Sequence, residues 1–282
     1  MKFLAYGFFR SKGGVLNNFN SLLSPEEYRV RRSKIIETRA IELLDLLAPF
    51  PTKSHLVSVG ATGDGCYMMT ERDIKSAKYL ISGGIEDNNS FEIELADLGI
   101  NGIQVDNSIK VPPVTHKNLH FLHGTLGLGN RETFSINQHL SETPLSNVVL
   151  KLDIEGAEYD VINEINPSNL RKISSIVIEL HNLDLIYKDS FWNQVCNMLK
   201  KLKKAELFPC FVSANNATSA EILGGVLIPR NLEVTFTRKV NLKSKFDSSD
   251  LKRIGTYLTV NDVNLSSVNI DHLIFRKACR NV

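Results

Sequence analysis

Short apolar runs alternate with segments of helical periodicity along most of the chain. The runs lie at His55–Val59, Tyr79–Ser82, Asn101–Val105, Leu119–His123, Val148–Leu152, Ile173–Leu180 and Phe208–Val212. More β-rich sequence follows at Ile222–Ile228, Leu232–Thr237 and, near the end, His272–Phe275. Between runs, Phe91, Ile93, Leu95 and Leu98 mark a helix ending near Gly99. Phe191, Trp192, Val195, Leu199 and Leu202 form an apolar stripe on another. Continuous apolar strands alternating with helices predict an α/β fold. The expected architecture is a doubly wound sheet with helices on both faces and a late antiparallel hairpin.

Ahead of the sheet, Ser24-Pro25-Glu26-Glu27 is a helix start, with a capping serine, proline at the first helical position and a capping-box glutamate. Ile36, Ala40, Leu43, Leu44 and Leu47 continue at helical spacing until Pro49 and Pro51 stop the element. Residues 1–52 are therefore expected to form a helical extension, 53–240 the main domain and 241–282 a tail with a closing strand. The extension packs on the domain's flank or, in a homo-oligomer, on a second copy.

The chemistry-bearing residues gather where the apolar runs stop. Val148–Leu152 ends on Asp153, with Glu155, Gly156 and Glu158 close behind. Carboxylates crowded at one strand end need water, a cation or a hydroxyl-rich ligand. In parallel sheets ligands bind outside the carboxyl ends of the strands. Ile173–Leu180 runs into Glu179 and His181, which alternation puts on one face, so Asp153, Glu179 and His181 converge if the strands end level. Tyr79–Ser82 leads into Gly83-Gly84-Ile85-Glu86-Asp87, a turn that brings backbone close to a ligand but lacks the dinucleotide glycine fingerprint. Asp106 follows about twenty residues later, the spacing of a ribose-binding acid. His120 and His123 fall on opposite strand faces, which argues against a shared metal and for core or loop histidines. Asn215-Asn216 offers two amides to hydroxyls or simply makes a turn, and the glycines at 60–65 read as a hairpin turn.

Composition narrows the class. Of 282 residues 43% are hydrophobic and 23% charged, with a net charge of +2, so nothing points to nucleic acid. Cys66, Cys196, Cys210 and Cys279 lie far apart without a CxxC pair, as expected of reduced thiols in a cytoplasmic protein. No apolar run is long enough for a transmembrane segment. Lys200, Lys201, Lys203 and Lys204 read as a solvated helix end, with an anionic surface as the lesser alternative.

The segment Lys151-Leu152-Asp153-Ile154-Glu155-Gly156-Ala157-Glu158 resembles the strand-four motif of the FkbM-type branch of S-adenosylmethionine-dependent methyltransferases. The resemblance extends to Gly63-Asp64-Gly65-Cys66-Tyr67, Gly84-Ile85-Glu86-Asp87, Ser90-Phe91-Glu92, Glu179-Leu180-His181, Asn215-Asn216 and Leu232-Glu233-Val234, and spans roughly Val57 to Arg238. Cys66 and Gly83 depart from the pattern, where glycine and an aromatic are common. The resemblance implies a seven-stranded, Rossmann-like methyltransferase sheet and S-adenosylmethionine as cofactor. Gly83, Gly84, Ile85, Glu86 and Asp87 would hold its methionine part, Asp106 and Asn107 its ribose, and Gly124, Thr125 and Leu126 would lie near its adenine. Asp153 would face the reacting centre, and Asp64, Tyr67, Asn215 and Asn216 would form the acceptor side. The family methylates hydroxyls of sugars and related natural products, so a sugar or glycan acceptor is implied.

A hydroxyl is a poor nucleophile and needs a base or a cation. His181 is the natural base, oriented by Glu179 or Glu158, with Asp153 and Glu155 beside the acceptor. The alternative is Mg2+ held by Asp153, Glu179 and His181. Rival readings are a nicotinamide-dependent sugar-modifying enzyme and a non-catalytic glycan-binding module.

Overall fold

The structure is a computed structural model that describes residues 24–61, 63, 65–127 and 133–242. Asp64, the N-terminal aromatic run and the closing strand expected at His272–Phe275 lie outside the described residues. Helix α1 (Pro25–Arg31) begins where expected, with Ser24 Oγ accepting from the Glu27 amide at 3.1 Å. The single helix expected from there to Leu47 is instead broken. Ser33 caps a second start by accepting from the Ile36 amide, and α2 (Lys34–Leu47) follows. Glu27, expected to close a capping box, accepts instead from Tyr187 Oη at 2.9 Å.

Strands β1 (Leu56–Val59) and β2 (Tyr67–Thr70) form an antiparallel hairpin, as the glycine-rich turn predicts. Then come α3 (Glu71–Ser76), β3 (Tyr79–Gly83), α4 (Ser90–Asp97), β4 (Asn101–Asp106) and β5 (Leu119–His123). The two-residue strands β6 (Thr125–Leu126) and β7 (Thr133–Phe134) pair beside α5 (Ile136–Glu142). The chain continues through β8 (Val148–Leu152), α6 (Glu158–Glu164), α7 (Pro167–Leu170), β9 (Ile173–Leu180) and α8 (Asp189–Lys204). It closes with β10 (Phe208–Ala214), the hairpin β11 (Ala220–Leu223) and β12 (Val226–Pro229), and β13 (Leu232–Thr237).

Seven strands make one sheet in the order β10-β13-β9-β8-β3-β4-β5. Strands β5, β4, β3, β8 and β9 are parallel, and β13 runs antiparallel to β9 and β10. Crossovers leave β3 and β8 in opposite directions along the sheet. Right-handed connections therefore place α4 on one face and α6 on the other, the doubly wound arrangement. The side-chain alternation agrees. Ile81, Leu150, Ile176 and Ile178 join a core with α2, α6 and α8, whereas Leu80, Val149 and Val177 pack with Phe91 and Leu95 of α4 and Tyr67 and Met69 of β2. Burial on both faces explains the unbroken apolar runs. Helix α2 spends its stripe on the first of these cores and so shares the core of the sheet.

Lys200 pairs with Glu42 at 2.8 Å and Lys201 donates to the Asn163 carbonyl at 2.7 Å, so half of the lysine run ties α8 to its neighbours. Cys66, Cys196 and Cys210 are free thiols. Among the described residues no helix is long and apolar enough to cross a membrane.

Leu150 is fully buried at the centre of the sheet. Its replacement by alanine is expected to lower the urea unfolding free energy by about 3 kcal/mol. A loss below about 1 kcal/mol would contradict the packing described.

Candidate active site

Three strand exits meet at the carboxyl edge of the sheet, those of β3, β8 and β9. Each leaves its strand through a residue of positive φ, Glu86 (41°), Glu155 (56°) and Asn182 (60°) respectively. Such conformations carry strain for side chains other than glycine and persist where surroundings enforce them. The enforcement is visible. Asp106 Oδ2 accepts from the Ile85 and Glu86 amides at 2.8 and 2.9 Å, pinning the β3 turn. Glu158 Oε1 accepts from the Ile154 and Gly156 amides at 3.0 and 3.2 Å, pinning the loop around Glu155. Gly84, with φ +75°, lies so close to β8 that a Cβ there would sit 1.6 Å from the Asp153 carbonyl oxygen, so only glycine fits.

His181 is the hub. Its Nδ1 lies 2.8 Å from Glu158 Oε1, and its Nε2 lies 3.6 Å from Glu155 and 3.7 Å from Asp153 and Glu179 carboxylate oxygens. Burial alone would push its pKa down. The hydrogen bond and charge of Glu158, then Glu179 and Asp153, outweigh burial and raise it to about 9. Burial pushes the Glu179 carboxyl up, and the charge of Asp153 adds to this. Glu179 Oε1 still accepts from the Asn215 and Asn231 side-chain amides at 2.8 and 2.9 Å.

A second chain of contacts lies on the α4 face. Lys151, 4% exposed, donates to the Gly84 carbonyl and sits 3.9 Å from Asp153 and 4.0 Å from Glu92. Ser82 donates to Glu92 at 2.5 Å, and burial raises the Glu92 carboxyl above the usual range. Tyr67 Oη donates to Asp153 Oδ2 at 2.7 Å, while burial and then the Asp153 charge push the phenol well above its ordinary pKa. Asp153 is thus held from one side by Tyr67 and faces His181 on the other.

A cavity of ≈ 260 Å³ opens over these groups. Of the residues expected from sequence, Gly84, Ile85, Glu86, Asp87, Tyr67, Asp153, Glu155, Glu179, His181 and Asn215 line it. Gly83, Asp106, Asn107, Gly124, Thr125, Leu126, Glu158 and Asn216 do not. Leu126 covers Gly83, where a Cβ would meet its Cδ1 at 2.0 Å. Asp106 Oδ1 accepts from the Ser108 amide and hydroxyl at 2.7 and 2.6 Å, so four protein donors fill its acceptor sites. Those bonds hold its carboxyl below the usual range although burial opposes them. Glu158 is buried beneath His181, which makes it the group that orients the imidazole, while Glu179 is held by amides. Asp153, Glu179 and His181 each offer a ligand atom within 4.8 Å of the others, the trio expected from sequence.

Sequence reasoning missed Lys151, Thr218 and Asn231 as parts of the cavity wall. A lysine inside the run VVLKL was the available signal, since a buried ammonium needs partners. Thr218 and Asn231 follow no pattern, because the β11–β12 hairpin brings them in from outside the βα repeat.

No family model matches the chain, and no curated protein matches it. Among solved structures, a Methanococcus jannaschii fibrillarin pre-rRNA processing protein is 9% identical, with 76% of this chain and 78% of that chain covered and a TM-score of 0.36. Thermotoga maritima spermidine synthase is 9% identical over 81% and 89%, with a TM-score of 0.35. A geranyl diphosphate C-methyltransferase of Streptomyces coelicolor is 9% identical over 72% and 78%, with a TM-score of 0.31. Likenesses this distant assign neither activity nor substrate to this chain.

The folded-state pKa of His181, about 9, lies above the unfolded value near 6.5. Its contribution to stability is therefore complete below pH 6.5 and lost as pH rises through 9. In metal-free buffer, the stability difference between the native protein and His181→Gln is expected to shrink over that window. A difference independent of pH would contradict the imidazolium described.

Proposed function

We propose that this chain transfers a methyl group from S-adenosylmethionine to a hydroxyl of a sugar or glycan. The observation that carries the reading is one cavity with two unlike walls. One wall is the turn at Gly84, where only glycine fits. The other is an imidazole oriented by a buried carboxylate and ringed by three more. Their position at the switch between β3 and β8 is where doubly wound sheets bind ligands. The resemblance of Lys151 to Glu158 to a methyltransferase strand-four motif supplies the reaction class.

S-adenosylmethionine supplies the electrophilic methyl and a neutral thioether leaving group. The chain's own work is alignment and proton handling. Gly84, Ile85 and Glu86 present the turn, with Lys151 and Asp106 fixing its backbone. Asp153, beside the reacting centre, favours a cationic donor there. His181 Nε2 takes the proton of the acceptor hydroxyl, and Glu158 fixes the ring. His181 gives up its resting proton more readily once another cation shares the site. The rate of transfer therefore rises with pH.

A second reading is favoured by the converging ligand atoms of Asp153, Glu179 and His181. Glu158 on Nδ1 is the second contact that metal-ligating histidines commonly make, and the oxygen-rich set suits Mg2+. In this version the ion would serve as the Lewis acid for the hydroxyl.

Calorimetry is expected to show S-adenosylhomocysteine binding and no binding of NAD. Preference for NAD would support the nicotinamide alternative, and binding of neither would support a glycan-binding module. With a panel of glycans read by mass spectrometry, His181→Ala and Asp153→Ala are expected to lose transfer by at least about a hundredfold with unchanged circular dichroism. Full activity in both variants would overturn the assignment. Loss in EDTA restored by Mg2+ would select the metal version over unassisted base catalysis.

A further inference from the structure

A second cavity, ≈ 310 Å³, adjoins the first. Glu155, His181, Thr218 and Asn231 line both. Only the first carries the Gly84 turn. The second is completed by Asn182, Ala217, Ser219 and Arg230. An in-line displacement needs acceptor and leaving group on opposite sides of the transferred carbon. Two cavities that meet at His181 offer one place for each.

The wall of the second cavity is built into the fold. Arg230 is fixed through its backbone, its amide donating to Ser219 O at 2.9 Å and its carbonyl accepting from the Leu183 amide at 2.8 Å. The Asn215 amide donates to Asn231 O at 3.2 Å. The hairpin that carries Ser219 and Arg230 at its base is braced at its tip. The Gly224 amide donates to Arg31 O at 2.7 Å, and a Cβ on Gly224 would lie 2.2 Å from the Glu37 backbone. The cavity therefore does not need a ligand to form it.

Its lining chemistry defines what enters. Ala217 is the one apolar residue among those that line it, so an apolar acceptor finds no partner surface. Hydroxyl and amide groups of Thr218, Ser219, Asn182 and Asn231 suit a ligand rich in hydroxyls, with Glu155 accepting from it. Arg230 is the single permanent cation of the lining. Of its five N–H donors, Nη2 donates to Asn182 Oδ1 over a long 3.4 Å. Asp184 lies 3.8 Å from Nε, near enough for charge attraction and too far for a hydrogen bond. Most of the guanidinium's donor capacity therefore remains for a planar or tetrahedral anion.

We propose that this second cavity is the acceptor subsite and takes a polyhydroxylated ligand bearing one anionic group, a carboxylate or phosphate, held by Arg230. The inference rests on the methyl-transfer reading above. The transfer forms one carbon–oxygen bond at the acceptor and breaks one carbon–sulfur bond. Sulfur keeps the electron pair, and His181 takes the hydroxyl proton.

The test is calorimetry in two stages. S-adenosylhomocysteine is titrated first, and its failure to bind overturns the methyl-transfer reading itself. The saturated protein is then titrated with glucose, glucuronate and glucose 1-phosphate. At least one anionic sugar is expected to bind about tenfold or more tightly than glucose, and which one does separates carboxylate from phosphate. Arg230→Gln is expected to erase the preference and Arg230→Lys to keep most of it, with the S-adenosylhomocysteine titration confirming that each variant folds. Arg230→Glu is expected to turn the preference toward glucosamine. Equal affinity for the three sugars, no binding of any of them to the saturated protein, or a preference that survives Arg230→Gln would overturn the acceptor subsite while leaving methyl transfer in place.

Discussion

The hydrogen bond between Glu158 and His181 is the constraint on which the site depends. Glu158 has no exposure to solvent, and a buried carboxylate without a partner is strongly destabilising. Its Oε1 gathers the amides of Ile154 and Gly156 and the ring nitrogen of His181, so one atom ties the exit of β8 to the residue that follows β9. With the ring fixed in this way, Nε2 meets Asp153, Glu155 and Glu179 together. Crowded carboxylates would repel one another without that imidazole between them. The same arrangement that makes the cluster tolerable gives it a proton carrier and a set of cation ligands.

The rest of the fold delivers partners to this pair. Parallel registry of β3 with β8 sets the Gly84 turn against the Asp153 carbonyl, and Lys151 holds the turn from below. The β1–β2 hairpin crosses the opposite face of the sheet from α2 and contributes Tyr67, which fixes the second oxygen of Asp153. The antiparallel strand β13 follows the β11–β12 hairpin, whose base supplies Arg230 and whose tip rests on the N-terminal helices. Those helices, of which α2 shares the main core, brace the wall of the second cavity.

Much of this arrangement was legible in the sequence, and the reason is burial. Strands covered on both faces leave largely apolar runs, and Val148–Leu152, Ile173–Leu180 and Leu232–Thr237 stand in the structure with the bounds those runs predict. The convergence of Asp153, Glu179 and His181 was legible because strand alternation and level strand ends are short-range rules. The break between α1 and α2 was not, because Ser33 offers a cap as good as Ser24 within one continuous periodic pattern. Asp106 shows the limit of spacing arguments. Its position at the end of β4 was readable, while its four bonds to the β3 turn and Ser108 depend on how the two loops pack. Arg230 and Asn231 arrive from a hairpin far along the chain, where local pattern carries no information about the sheet edge.

In the proposed reaction one ligand lies across the ends of β3 and β8, with its reacting group turned to His181. A crystal structure with S-adenosylhomocysteine bound tests this most directly. The amino-acid end of the ligand is expected against the turn of Gly84, Ile85 and Glu86, with its sulfur directed toward Asp153 and His181. A ligand bound away from that turn, or with its sulfur facing away from His181, would contradict it.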